Sequence, residues 1–258
     1  MTALTSCALL ESRSVRAEQR ELAPSEARSW RDSVQQAVAA GSYLPLSLTP
    51  EVGASAAQGS AQTGYDGARK HATLRSFAQA TVYGPLALRL GVASSNAGRL
   101  APSAGARVQL LNQRDYGVSL AASVFYKAEG FTELEGEIES VLSLARRFDD
   151  WLLVSSIAYG QDPEGHERDA ELTFACMLQL SRLAHLGLDA RGRLDLGSQR
   201  QPPRAAAEPV SDFQAGPLLS LALGPLAVTA QAGVSGLRSV DQTNHVGFVG
   251  VAGLGSAF

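Results

Sequence analysis

Residues 183–197 read LAHLGLDARGRLDLG. Ala184, Leu186, Leu188, Ala190, Leu194 and Leu196 hold the even positions, and His185, Asp189, Arg191, Arg193 and Asp195 the odd ones. Successive side chains on a β-strand point to opposite faces, so this stretch is a strand with one apolar and one charged side. A helix would scatter the same charges around its circumference.

The period of two recurs on both sides of this stretch. Residues 168–180 set Ala170, Leu172, Phe174, Cys176, Leu178 and Leu180 against Asp169, Glu171, Thr173 and Gln179. Residues 136–147 set Ile138, Leu142 and Leu144 against Glu137, Glu139, Ser143 and Arg147. Residues 117–127, 86–93 and 226–235 repeat the pattern, and weaker alternation runs through 72–83, 103–112, 151–160, 212–223 and 245–257. Most of these eleven candidate strands have ten to thirteen residues. Strands of soluble domains peak at roughly five or six residues, whereas tilted strands that cross a bilayer need about 9–11. Length therefore favours membrane strands.

The connections alternate as well. Gly84-Pro85, Gln113 to Tyr116, Asp149-Asp150, Ser181-Arg182 and Gly224-Pro225 are short turns, and 96–102, 128–135, 161–167, 198–211 and 238–244 are longer loops. Short turns on one rim and longer loops on the other are the habit of outer-membrane barrels. The strand at 72–83 then needs a partner before it. Residues 51–63, followed by GYDGARK, fill that place despite poor hydrophobicity and bring the count to an even twelve. Tyr83, Tyr116, Phe148, Trp151 and Phe258 fall at the short-turn ends, and Tyr65, Tyr126, Phe131, Tyr159 and Phe213 near the loop ends. Two aromatic girdles are expected at the membrane interfaces. Candidate interface aromatics are thus Tyr83, Tyr116, Tyr126, Phe148, Trp151, Tyr159, Phe213 and Phe258, with Phe77, Phe174 and Phe248 lying mid-strand.

The final stretch, HVGFVGVAGLGSAF, alternates and ends in Phe258. It resembles the C-terminal strand of bacterial outer-membrane β-barrel proteins. The resemblance is architectural and covers about residues 51–258. It implies a lipid bilayer as partner and recognition of the terminal strand by the barrel assembly machinery. The expected fold is all-β: an antiparallel up-and-down transmembrane β-barrel of about twelve strands, with a short N-terminal helical segment.

With leucine and valine facing lipid, the opposite parity puts Arg75, Arg89, Arg107, Lys127, Glu137, Glu139, Arg147, Asp169, Glu171, Asp189, Arg191, Arg193 and Asp195 in the lumen. Charges cannot lie unpaired in a dry interior. The seven basic and six acidic groups can satisfy one another or bind water. Such a set is read either as a paired network that holds the wall in shape or as a constriction that selects solutes.

Residues 1–50 differ from the rest. Between 11 and 32 five basic and five acidic side chains mix. Ser25 is placed to cap a helix at about 25–40, with Trp30, Val34, Ala37 and Val38 on its apolar face and Gly41 at its stop. This segment is expected as a unit separate from the barrel at 51–258, its helix either packed on the body of the protein or placed on the periplasmic rim or in the lumen. MTALTSCALL lacks the basic start of an export signal. Either the start is truncated or the protein is not exported. Leu4-Thr5-Ser6-Cys7 resembles a lipobox, which would make Cys7 a lipidation site.

No roughly 18-residue apolar run forms a membrane helix. The near-neutral balance of 22 basic and 25 acidic residues gives no nucleic-acid footprint. The two cysteines and four histidines (His71, His166, His185, His245) have no metal-ligand spacing, and no cofactor is expected. No nucleophile, phosphate-loop or zinc-hydrolase motif occurs. His185 and His245 carry inward parity with no evident serine partner, and His166 lies in a charged loop. The reading is a bacterial outer-membrane barrel acting as a passive channel, a transport accessory or a structural barrel, and not an enzyme. A soluble barrel binding a small apolar ligand is the alternative, since it differs only in being turned inside out. A membrane-embedded hydrolase is the minor one.

Overall fold

The computed structural model describes residues 57–94, 100–111, 113–128, 131, 136–163, 168–181, 183–197, 209–223 and 226–257. The expected helix at 25–40, Cys7, His166 and Phe258 lie outside them. Twelve strands follow one another: β1 (Ala57–Asp66), β2 (His71–Tyr83), β3 (Leu86–Ser94), β4 (Leu100–Leu111), β5 (Ser119–Ala128), β6 (Gly136–Phe148), β7 (Trp151–Gln161), β8 (Arg168–Gln179), β9 (Ala184–Asp195), β10 (Pro209–Leu223), β11 (Leu226–Ser239) and β12 (Asn244–Ala257). Each pairs antiparallel with its neighbours in sequence, and β1 closes on β12 from Gln58 opposite Ala257 to Asp66 opposite Val249. Closure leaves no unpaired edge.

Strand length matches a bilayer. At about 3.3 Å per residue, a twelve-residue strand tilted by roughly 40° rises about 30 Å. Burial follows the predicted parity. In β6, Ile138, Leu142 and Leu144 are exposed while Glu139, Val141, Ser143 and Ala145 are buried. In β9, Leu186 and Leu188 are exposed while His185 and Asp189 are buried. An apolar exterior over a polar interior is stable only where the outer solvent is hydrocarbon. The soluble alternative, which needs the leucines inside, is overturned by this arrangement.

The connections depart from expectation in three places. The first outward strand occupies Ala57–Asp66 rather than 51–63, so its connection to β2 shrinks to the four residues 67–70. The expected long loop at 238–244 is a four-residue turn, because β11 and β12 each run 14 residues. There Asp241 accepts from the Thr243 hydroxyl (2.7 Å) and amide (3.0 Å), which hold its carboxyl below the usual range. The expected short turn at 113–116 is a one-turn helix, α1 (Gln113–Tyr116). The Gln113 side-chain amide closes this connection by pairing with the backbone N–H (2.7 Å) and carbonyl of Arg147 on β6, the strand next to β5. Gly84, at φ +48°, turns β2 into β3 ahead of Pro85, a conformation that L-residues resist.

Candidate functional site: the inward face of the barrel

The inner wall is ionised over the loop half and mixes apolar with polar side chains over the turn half. The loop half carries a belt of ion pairs. Lys127 on β5 pairs with Glu139 on β6. Glu137 lies over Gly160 of β7, beside Asp169 of β8, which pairs with Arg193 of β9. Arg191 meets Glu171 at 2.8 Å and Asp212 of β10 at 3.7 Å. Asp212 also pairs with Arg69, from the β1–β2 turn. Antiparallel register explains these neighbours, since Glu171 stands opposite Arg193, and Arg193 opposite Asp212, on one face. Desolvation makes each isolated charge costly, so the pairs are needed to hold the charges inside.

In the middle, the Arg89 guanidinium of β3 lies 4.0 Å from the Phe77 ring centre and 5.0 Å from that of Phe125. Phe77, unassigned in the sequence, is therefore an inward residue. Its electron-rich face stabilises a cation drawn out of water. Arg107, 2% exposed, donates to Gln109 Oε1 at 2.8 Å. Arg75 faces inward on β2 and lines a cavity of about 80 Å³ near the loop rim. Asp189 is buried on β9, and Asp195, at the loop end of that strand, accepts from the Gly197 amide at 2.7 Å.

The turn half is mixed, with Arg107 opposite Ala87 next to the β2–β3 turn and an apolar patch on β6, β7, β8 and β10. Ala145, Leu152, Val154, Ala175, Met177 and Leu218 form a buried cluster. Beside it, Arg147 donates to Gln179 Oε1 at 3.3 Å. His185 is opposite Ser220 in the β9–β10 register. Both are buried, and neither His185 ring nitrogen nor Ser220 Oγ has a hydrogen-bond partner. The register, invisible in the sequence, thus places a serine opposite His185 without a hydrogen bond between the two. His245 keeps inward parity but sits exposed at the rim, 3.4 Å from Thr243 Oγ1.

Asp66, Arg69 and Asp212 were not singled out from the sequence. Asp66 and Arg69 belong to a stretch read as loop. Asp212 opens a strand whose outward positions Phe213, Leu219 and Leu223 carry the signal that it faces in. Tyr83, Tyr116, Tyr126, Phe148, Trp151, Tyr159 and Phe213 are all exposed, and Phe148 and Trp151 are register partners at the β6–β7 turn.

A closed ring of twelve long strands, apolar outside and ionised within, defines an antiparallel β-barrel of the membrane-spanning kind. No family model and no curated protein matches the sequence. Solved structures do resemble the fold. A KdgM porin superposes with a TM-score of 0.53 at 11% identity, over 78% of this chain and 99% of that one. An outer membrane channel from Pseudomonas putida F1 gives 0.52 at 12% identity, over 81% and 97%. A KdgM porin in complex with disordered oligogalacturonate gives 0.50 at 10% identity, over 79% and 99%. At these identities the likeness is one of fold.

Proposed function

We propose that this chain is a channel of the bacterial outer membrane, through which small solutes pass along a charge-lined interior. The reversal of ordinary burial carries the reading: Leu90 is 67% exposed while Arg107 is 2% exposed. Outward leucines belong in hydrocarbon, and inward ion pairs give a polar path that hydrocarbon does not. The thirteen inward charges named above, joined by Asp66, Arg69 and Asp212, are the proposed lining. The exposed aromatics are the proposed interface anchors. The C-terminal strand is the proposed signal for the barrel assembly machinery.

Folded protein in a planar bilayer is expected to give discrete conductance steps. A folded barrel that gives none is a structural barrel. No catalytic step is assigned to this chain. Esterase or protease activity lost on His185→Ala or Ser220→Ala would replace the channel with a hydrolase.

The same proposal keeps residues 1–50 as a unit apart from the barrel, placed in the lumen at the turn end. A ring of twelve strands is wider than the roughly eight-stranded one that its own side chains just fill. Deleting residues 1–50 is expected to raise the conductance; an unchanged conductance puts the segment on the rim.

A further inference from the structure

The β1–β2 turn, 67–70, does not stand up from the rim. The Gly67 amide donates to the Phe248 carbonyl (2.7 Å), extending the β1–β12 ladder one residue past Asp66. The turn then leans over β12 toward β11 and β10. The Ala68 amide reaches Ser235 Oγ on β11 at 3.3 Å, as well as Asp66 Oδ1 at 2.9 Å. Arg69 reaches Asp212 on β10. Gln214, also on β10, donates to Asp66 Oδ2 at 3.1 Å. Strands β1 and β10 are three strand spacings apart, about 14 Å along the wall.

Two glycines let the turn lie this low. A Cβ on Gly247 would sit 2.2 Å from the Ala68 nitrogen, and one on Gly67 would sit 2.8 Å from the Phe248 carbonyl oxygen. Lys70, at φ +54°, brings the chain back into β2. Asp66 and Asp212 are both nearly buried (6% and 7% exposed), so Arg69 neutralises carboxylates that water reaches poorly. The cavity of about 80 Å³ lies under this strap, against Arg75, Arg191 and Gln214.

We propose that the β1–β2 turn is the constriction of the loop-side mouth, a strap latched by Arg69 onto Asp212 that sets the size of solute admitted. This rests on the channel reading, but its geometry can be tested separately. In a Cys7→Ser, Cys176→Ser background, Ala68→Cys with Ser235→Cys is expected to form a disulfide on mild oxidation of the folded full chain. A folded barrel that does not cross-link overturns the strap whether or not the protein conducts. In planar bilayers, Arg69→Ala and Asp212→Asn are each expected to raise single-channel conductance by about twofold and to admit larger polyethylene glycols from the loop side. Gly247→Val, which lifts the turn without touching the ion pair, is expected to do the same. Unaltered conductance and unaltered exclusion in all three variants overturn the constriction.

Discussion

Single side chains in this barrel answer to two solvents. Leu90 and Arg89 are adjacent in β3, yet Leu90 meets lipid and Arg89 lies between Phe77 and Phe125. Leu90→Arg is expected to destabilise the barrel in lipid vesicles by about 2–4 kcal/mol, the cost of a cation near the bilayer midplane. Denaturant titration measures it, and a loss under about 0.5 kcal/mol would contradict a lipid-facing Leu90. Ser220 gives the opposite sign. Its buried hydroxyl has no partner, so Ser220→Ala removes an unpaid desolvation and is expected to be neutral or to stabilise by about 1 kcal/mol. A clear loss in the same titration would mean that the hydroxyl is bonded. Alternation made the parity of residues such as Arg107 and Glu139 legible. The partners were not, because a pair such as Arg191 and Glu171 depends on register, and a slip of one residue exchanges the faces.

At the level of elements, the ring depends on its least strand-like member. β1 reads AQGSAQTGYD, with little apolar signal, yet it pairs along its length with both β2 and β12. Its place was legible from the alternation of short and long connections, which demands a partner before β2, and from the even count that it completes. Its true bounds were not, because Gly59 and Gly64 blur the alternation. The turn after β2 is more local. Gly84→Ala is expected to cost about 1–2 kcal/mol in equilibrium unfolding, since a Cβ is penalised at positive φ. No loss would mean that the turn relaxes to another type. The last strand has a separate role in the proposal. Phe258→Ser is expected to lower the amount of barrel assembled in cells while leaving refolding in detergent unchanged. Equal assembly of variant and parent would remove the terminal residue from the recognition signal.

For the whole molecule, the sequence by itself determined that alternating strands of bilayer length follow one another, and which residues share a face. Those are local properties, set by the two-residue period of extended backbone and by turn residues such as Gly84 and Asp149. It left open which face looks inward, since a barrel and its inside-out counterpart have one binary pattern. The curvature of the closed ring decided that, by leaving leucines such as Leu186 and Leu188 exposed and burying His185 and Asp189. Closure also brought Arg69 across to Asp212, 143 residues away, and put Ser220 opposite His185. Contacts of this kind depend on the curvature and register of the complete ring, which no single strand encodes.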